Sequence, residues 1–192
     1  MKKGKLIILG ILFVIVIFLL VFIFLSQRGE KIKEIKEEIY LSEEPLYTEE
    51  EEKMKVTLFF IGEKDSLLHS EEREIYLTPS LINQAKQVII ELIKGSTNDY
   101  ISPLPPDTRL RELFLTKEGI VYVDFSKEIY QQHPGGSQAE ITAIYAVVNS
   151  LAYNFKQIKK VQILIEGMEK ETLNGHIDLT KPFSPRFSLI TK

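Results

Sequence analysis

The residues with the clearest potential for chemistry lie between His133 and Glu140, where the sequence reads HPGGSQAE. Two glycines and a serine ahead of an apolar-periodic stretch could cradle a phosphate or present a nucleophile. A phosphate-binding loop requires G-x-x-x-x-G-K-[ST], and this stretch has neither the lysine nor the glycine spacing. A serine nucleophile requires G-x-S-x-G or a histidine within reach. His133 lies near Ser137 in sequence, but one neighbouring histidine does not make a triad.

The same stretch has a simpler interpretation as the start of a helix. Ser137 and Glu140 have the spacing of a capping box, in which the serine hydroxyl accepts from the amide three residues on and the glutamate reaches back. The Pro-Gly-Gly sequence before Ser137 would form the turn that leads into it. We therefore predict that Ser137 caps a helix and has no catalytic role.

The other titratable residues show no established site spacing. His69, His133 and His176 are scattered, and the chain has no HExxH pattern. The absence of cysteine excludes disulfides, thiol catalysis, CxxC zinc sites and a lipid-modified N-terminal cysteine. Asp124 and Glu166 each end a predicted strand, so neighbouring strands would bring their carboxylates together. Such a pair could act on a glycosidic bond if it lined a cleft; otherwise its role is structural or in an interaction.

The N-terminal sequence predicts a membrane anchor. Residues 6–25 read LIILGILFVIVIFLLVFIFL and carry no charge. A helix of this length spans about 30 Å, the thickness of a hydrocarbon core. Lys2, Lys3 and Lys5 precede the span, which predicts residues 1–5 in the cytoplasm and the rest of the chain outside. A cleaved signal peptide is the alternative, but the apolar core is longer than usual and no A-x-A-like site follows it.

Residues 26–54 form an acidic stretch between the predicted anchor and the folded part. They contain ten glutamates and five lysines or arginines. Such a composition is typical of a solvated, self-repelling spacer, with an acidic docking tail as the alternative. The net charge of the whole chain is only -3, which gives no general attraction for nucleic acid. We expect a single folded domain over residues 55–192.

Within that domain the hydrophobic pattern alternates between periods of two and 3.6 residues. Two strands are predicted first, with KVTLFFI the stronger and residues 72–78 the weaker, followed by a helix that begins after Pro79-Ser80. A hairpin with Gly119 in its turn comes next, then a second helix over residues 141–155 and the strand KKVQILIEG. The order predicts an α+β fold with an antiparallel or mixed sheet of about four to five strands and two helices on one face.

The alternation of strand side chains predicts a second, open sheet face. One face would carry Val56, Leu58, Phe60, Val161, Ile163 and Ile165 toward the helices. Phe59, Tyr122 and Leu164 then point the opposite way, where no further helix remains to cover them. Such a face is either a partner-binding surface or the solvated side of an antiparallel sheet. We predict that Phe59, Tyr122 and Leu164 contact a partner.

The segments VYVDFSKE, PGGSQAE and VQILIEG followed by LNGHIDL stand in this order along the chain. With this order and content the chain resembles the sporulation and spore-germination GerMN domain, and these are the most specific segments of the resemblance. The resemblance covers residues 55–183 and departs where the family often reads LIKGP, since this chain reads LIKGS. The chain has one copy of the domain, whereas sporulation members can carry two, and it has a predicted span where many members are lipoproteins.

The resemblance implies a non-enzymatic module outside the cell membrane. Such a module would act as a scaffold or protein-interaction domain in envelope, sporulation or germination assembly. Its partner would be an envelope protein or a second copy of the chain, and we expect no cofactor, metal, nucleic acid or small-molecule ligand. No family catalytic residues carry over. The alternative function is the binding or hydrolysis of cell-wall polymer through Asp124 and Glu166.

Overall fold

The computed structural model describes residues 52–191. The predicted anchor and all but the last three residues of the predicted acidic linker lie outside this range. Among the residues that are described, no helix is both long enough and apolar enough to cross a bilayer.

The α+β class is confirmed. Most predicted boundaries agree with the structure within a few residues, although β2 begins four residues earlier than predicted. A short 3-10 helix, Phe187–Leu189, follows the last strand. The strands and helices of the described residues are β1 Lys53–Ile61, β2 Leu68–Tyr76, α1 Leu81–Lys94, β3 Leu110–Leu115, β4 Ile120–Phe125, α2 Glu128–Gln131, α3 Ser137–Asn154 and β5 Lys160–Ile165.

The strands form two sheets, so the predicted single sheet is wrong. β1 and β2 make an antiparallel pair, and β3, β4 and β5 make a separate three-stranded sheet. In the second sheet β3 pairs with β4 antiparallel, whereas β4 pairs with β5 parallel. The predicted hairpin between β3 and β4 is confirmed, with Gly119 at a φ of 86° in its turn.

Helix α3 covers the edge of β1 that a further strand would otherwise pair with. The Thr57 amide donates to Asn154 Oδ1 at 2.9 Å, and Asn154 Nδ2 donates to the Thr57 carbonyl at 2.7 Å. Two residues further along, the Phe59 amide donates to Ser150 Oγ at 3.1 Å. These side-chain bonds satisfy backbone groups that a second strand would satisfy in a larger sheet.

The predicted arrangement of two helices on one sheet face is also wrong. Helix α3 contacts β1 of one sheet and β5 of the other, and α1 contacts β1, β2, β3 and α3. Polar residues of α3 are buried with the apolar ones; Asn149, for example, is fully buried and exchanges hydrogen bonds with the Arg186 backbone. A helix buried on several sides has no single apolar stripe that would indicate which sheet it covers.

A buried carboxylate joins β2 to the loop that follows α1. Glu71 is 5% exposed and accepts from Ser96 Oγ at 2.6 Å, Thr97 Oγ1 at 2.7 Å and Asn98 Nδ2 at 3.0 Å. Arg73 Nε donates to the same carboxylate at 2.6 Å. Burial raises the pKa of Glu71, but the bonds from Ser96, Thr97 and Arg73 outweigh it and lower the pKa to about 2. Glu71 is therefore an ionised anchor of this loop.

Candidate partner-binding surface

The outer face of the three-stranded sheet presents apolar side chains. The register places Tyr122 of β4 between Phe114 of β3 and Gln162 of β5, and Asp124 beside Leu164. Residues that are paired on neighbouring strands have side chains on the same face of the sheet, as do residues two positions apart on one strand. Phe114 is 55% exposed, and Tyr122 and Leu164 are half-buried. We name Phe114, Tyr122 and Leu164 the outer patch.

The sequence predicted that Phe59, Tyr122 and Leu164 share an exposed face, and only the last two belong to the outer patch. Tyr122 and Leu164 lie on one common face, as alternation predicts. Phe59, by contrast, is 1% exposed and lies in the apolar core. Its ring meets the α3 residue Tyr153 edge-on, with the ring centroids 5.4 Å apart. The prediction that Phe59 faces a partner is therefore wrong, because α3 covers this strand from its edge.

The C-terminal segment covers the β5 side of this sheet. Phe183 pairs with Val161 of β5 through two backbone hydrogen bonds of 2.9 and 2.8 Å. Gln162 is 1% exposed, and its Nε2 donates to the Leu179 carbonyl at 2.6 Å. Leu179 itself is fully buried. The exposed apolar area of the face is therefore greatest toward β3, at Phe114.

Asp124 and Glu166 are close together, as predicted for neighbouring strands, and Arg111 bonds to both. Arg111 Nε donates to Asp124 Oδ2 at 3.0 Å and its Nη1 donates to Glu166 Oε2 at 3.1 Å. The Asp124 bond and the Glu166 charge raise the pKa of Arg111. Backbone amides supply further bonds, from Gly167 to Asp124 at 2.8 Å and from Lys127 to Glu166 at 3.0 Å.

These bonds indicate what the carboxylate pair can do. Each carboxylate already accepts two hydrogen bonds, one from Arg111 and one from a backbone amide. The guanidinium also occupies the position between the two carboxylates where a substrate bond would have to lie. The geometry is that of a structural ion cluster, which fixes the turn after β5 against the β3–β4 hairpin.

The start of α3 differs from the predicted capping box. The N-cap residue is Gly136, at a φ of 91°, and no side chain caps the helix. Ser137 is the first helical residue and is exposed, so the prediction that its hydroxyl caps the helix is wrong. Glu140 is fully buried and reaches away from the helix start. It accepts from His176 Nδ1 at 2.6 Å and from the Ile177 amide at 3.1 Å.

The environment of Glu140 favours its charged form. Burial raises the pKa of this carboxyl, but the bonds from the His176 side chain and from the Ile177 amide outweigh the burial and lower it. A capping interaction with the Ser137 amide would offer one backbone bond, whereas the 174–177 loop offers a side-chain donor and backbone donors. Glu140 therefore fixes the C-terminal segment to α3.

A cavity of about 550 Å³ lies at the same end of α3. Its walls include Ile61, Ile101, Pro103 and Ser137, with His133 at one side. Burial lowers the pKa of the His133 imidazole, and its Nδ1 accepts from the Gly135 amide at 3.1 Å. Within residues 52–191 no three histidine, aspartate or glutamate residues are grouped so that they could hold a metal ion. The PGGS stretch thus forms a turn beside a mainly apolar cavity.

Two small sheets both contact a largely buried helix, and one sheet face is partly exposed. This arrangement defines the described residues as an α+β domain. The family model described as "Germane: Sporulation and spore germination" matches residues 57–171. The chain belongs to this family, and the predicted GerMN resemblance is confirmed.

Solved structures share the fold. A tandem pair of GerMN domains from the sporulation protein GerM of Bacillus subtilis is 22% identical with a TM-score of 0.57, covering 69% of this chain and 46% of that one. The first GerMN domain of GerM alone is 23% identical with a TM-score of 0.54, covering 69% and 98%. A lipoprotein candidate from Clostridium perfringens is 24% identical with a TM-score of 0.51, covering 69% and 87%. No curated protein matches the sequence significantly.

Proposed function

We propose that this protein is a membrane-anchored GerMN-domain scaffold that binds another protein on the outer side of the cell membrane. Membership of a sporulation and germination family supports a role in envelope assembly during those processes. The uncharged residues 6–25 support an anchor with the domain outside. The description of one structural relative as a lipoprotein candidate fits an extracytoplasmic location. The partner is an envelope protein or a second copy of the chain.

The observation that carries the proposal is the outer patch. Phe114 is one of the most exposed large apolar side chains among residues 52–191, and Tyr122 and Leu164 lie half-buried on the same face. Aromatic side chains at the centre of an interface often supply much of its binding energy. A sheet face offers an extended surface, which suits a protein partner better than a small ligand that needs a concave site.

The ion cluster gives the outer patch a charged border. The side chains of Arg111 and Glu166 are 45% and 39% exposed, whereas that of Asp124, which is ion-paired with Arg111, is only 8% exposed. Charges at the rim of an interface set orientation and exclude wrong partners more than they add affinity. Through these bonds Asp124 and Glu166 would position Arg111 beside the patch rather than act on a cell-wall polymer.

Substitutions in the outer patch test this function. Replacing Phe114 or Tyr122 with alanine should weaken capture of the partner from detergent-solubilised membranes at least about fivefold, the equivalent of roughly 1 kcal/mol or more at a buried aromatic contact. The fold should persist, because neither side chain is fully buried. The matched control is Leu77→Ala, since Leu77 is 43% exposed and lies just after β2 in the other sheet. The readout is quantitative mass spectrometry of the proteins recovered with the full-length chain.

Equal recovery of every partner by the Phe114→Ala, Tyr122→Ala and Leu77→Ala chains would contradict a role for the outer patch. Retention on purified cell-wall polymer that is lost only in the Asp124→Asn or Glu166→Gln chain would instead favour the alternative function.

A further inference from the structure

One edge of the β1–β2 sheet has no complete partner among the described residues. In an antiparallel pair, successive residues of a strand direct their backbone groups alternately toward the neighbouring strand and away from it. On β1, Thr57 and Phe59 direct theirs away, since their amides bond to side chains of α3. The residues opposite them on β2, Glu72 and Ser70, therefore direct their backbone groups away from β1 as well.

The chain closes this edge of β2 at both of its ends. At the first residue of β2, the Thr191 amide donates to the Leu68 carbonyl at 2.9 Å. At the last residue, Gln87 Oε1 accepts from the Tyr76 amide at 2.8 Å, and Gln87 Nε2 donates to the Tyr76 carbonyl at 3.0 Å. The Gln87 side chain thus takes the place of a neighbouring strand at this end.

The middle of the edge is open. Between the two closed ends, Ser70, Glu72 and Glu74 are all exposed. No group within residues 52–191 bonds to the amides and carbonyls that these residues direct away from β1. Backbone groups in such a position bond to water or to a strand of another chain. We name Ser70, Glu72 and Glu74 the open edge.

The open edge carries negative charge. The side chains of Glu72 and Glu74 are 70% and 60% exposed. Lys55 and Lys53 approach them at 3.1 and 3.9 Å, but both lysines are on β1 and therefore on the far side from the open edge. Because neighbouring strands lie about 4.8 Å apart, side chains of an added strand would reach the same carboxylates from the unoccupied side.

The same charges disfavour a second copy of this chain as the added strand. A two-fold antiparallel pairing that used the whole open edge would put Glu72 of one copy opposite Glu72 of the other. Like charges that are directly opposite destabilise a sheet, whereas opposite charges stabilise it. The open edge therefore suits a strand with cationic side chains.

We propose that the open edge binds an extended segment of another protein that carries lysine or arginine at alternate positions. The segment adds an antiparallel strand to β2, so that its backbone bonds to the open edge and its cationic side chains lie beside Glu72 and Glu74. In strand addition, main-chain bonds supply affinity and alternate side chains supply specificity. The outer patch is on the other sheet, so this inference goes beyond the proposed function and does not depend on it.

Hydrogen exchange of the full-length chain in neutral detergent tests the proposal. The probe is a synthetic peptide of alternating lysine and valine, long enough to pair with the whole open edge. At a peptide concentration of about four times its Kd, exchange at Ser70, Glu72 and Glu74 should slow about fivefold, because only the unbound protein exchanges there. Exchange at Glu71 and Arg73 should stay unchanged, since their amides already face β1.

A second peptide separates strand addition from attraction between charges. It has the same sequence but is N-methylated at its lysine amides, which keeps the positive charge and removes the backbone donors that would face the open edge. Binding to other acidic parts of the chain is common to both peptides. The methylated peptide should leave exchange at the open edge unchanged.

Reversing the charge of the open edge tests the preference for cationic side chains. The Glu72→Lys/Glu74→Lys chain should bind the lysine–valine peptide at least about fivefold more weakly and a glutamate–valine peptide more tightly. Its fold should persist, because exposed ion pairs contribute little stability. The matched control is the Glu169→Lys/Glu171→Lys chain, in which exposed residues after β5 receive the same change of charge at the same spacing.

Several results would overturn the proposal. These are equal slowing by the two lysine peptides, no slowing at the open edge by either of them, and equal affinity of the lysine–valine peptide for the two charge-reversed chains. Slow exchange at the open edge before any peptide is added would also overturn it. Protection that rises with protein concentration would then assign the edge to a second copy, and protection that does not would assign it to another part of the same chain.

Discussion

Replacing Glu71 with alanine is expected to lower the free energy of unfolding by about 3–5 kcal/mol, the range observed when one partner of a buried charged pair is removed. The substitution leaves the donors of Ser96, Thr97, Asn98 and Arg73 without their common acceptor. Thr97 and Asn98 are exposed, so water can replace the carboxylate at their donors. The largest cost therefore comes from the Arg73 guanidinium, whose side chain is 15% exposed. Urea unfolding of the full-length chain, followed by circular dichroism, measures the loss.

The pKa of Glu71 adds a pH dependence to this prediction. The pKa falls from an ordinary value of 4.5 to about 2 in the folded protein. A depressed pKa contributes stability that is fully present above pH 4.5 and is lost as the pH falls through about 2. A shift of this size corresponds to roughly 3 kcal/mol.

The Glu71→Gln variant is the matched control, because it keeps the shape of the side chain and removes its titration. Its stability should change less than that of the unmodified protein between pH 5 and pH 2. Parallel pH profiles of the two proteins would show that Glu71 does not anchor the loop as an ionised group.

Replacing Glu140 with alanine is expected to cost about 3 kcal/mol, since it leaves buried donors without an acceptor. The carboxylate is fully buried and bonds to His176 and to the Ile177 amide. The His176→Ala control should cost less, because that side chain is 47% exposed. Thermal unfolding gives the stabilities, and hydrogen exchange at Ile177 should accelerate in the Glu140→Ala chain. Equal losses in the two variants would show that Glu140 contributes only through the histidine.

Local structure could be predicted from the sequence where residues a few positions apart determine it. Helix α1 begins after Pro79-Ser80 as predicted, and Ser80 is its N-cap, accepting from the Asn83 amide at 3.3 Å. Gly119 supplies the positive φ that the β3–β4 turn requires. Both features depend on residues within a few positions of one another.

The predictions that are wrong or missing concern residues whose surroundings are determined by segments distant in sequence. Ser137 and Glu140 have the spacing of a capping box, but residues 176 and 177 outcompete the helix start for the carboxylate. Phe59 alternates outward on β1, yet α3 approaches that strand from its edge and buries the ring. Glu71 has no sequence signature, because its loop partners lie 25–27 residues away.

Part of the outer patch could be predicted from the sequence and part could not. Alternation along β4 and β5 is uninterrupted, so Tyr122 and Leu164 could be predicted to share a face. The β3 strand has an irregularity between Leu110 and Glu112. An extra residue in a strand reverses which later positions face outward, so the exposure of Phe114 could not be read from the start of that strand. The most exposed member of the patch was therefore the one that the sequence did not indicate.

The most direct test of the scaffold function is photo-crosslinking from within the outer patch in living cells. A photoreactive phenylalanine derivative is placed at Phe114 in the full-length chain, with the same derivative at Leu77 as the control of comparable exposure. A discrete protein adduct is expected from position 114, absent from position 77 and reduced by Tyr122→Ala in the same chain. The absence of any protein adduct at position 114 in cells that are sporulating, germinating or growing, or an identical set of adducts from both positions, would contradict a partner-binding role for the outer patch.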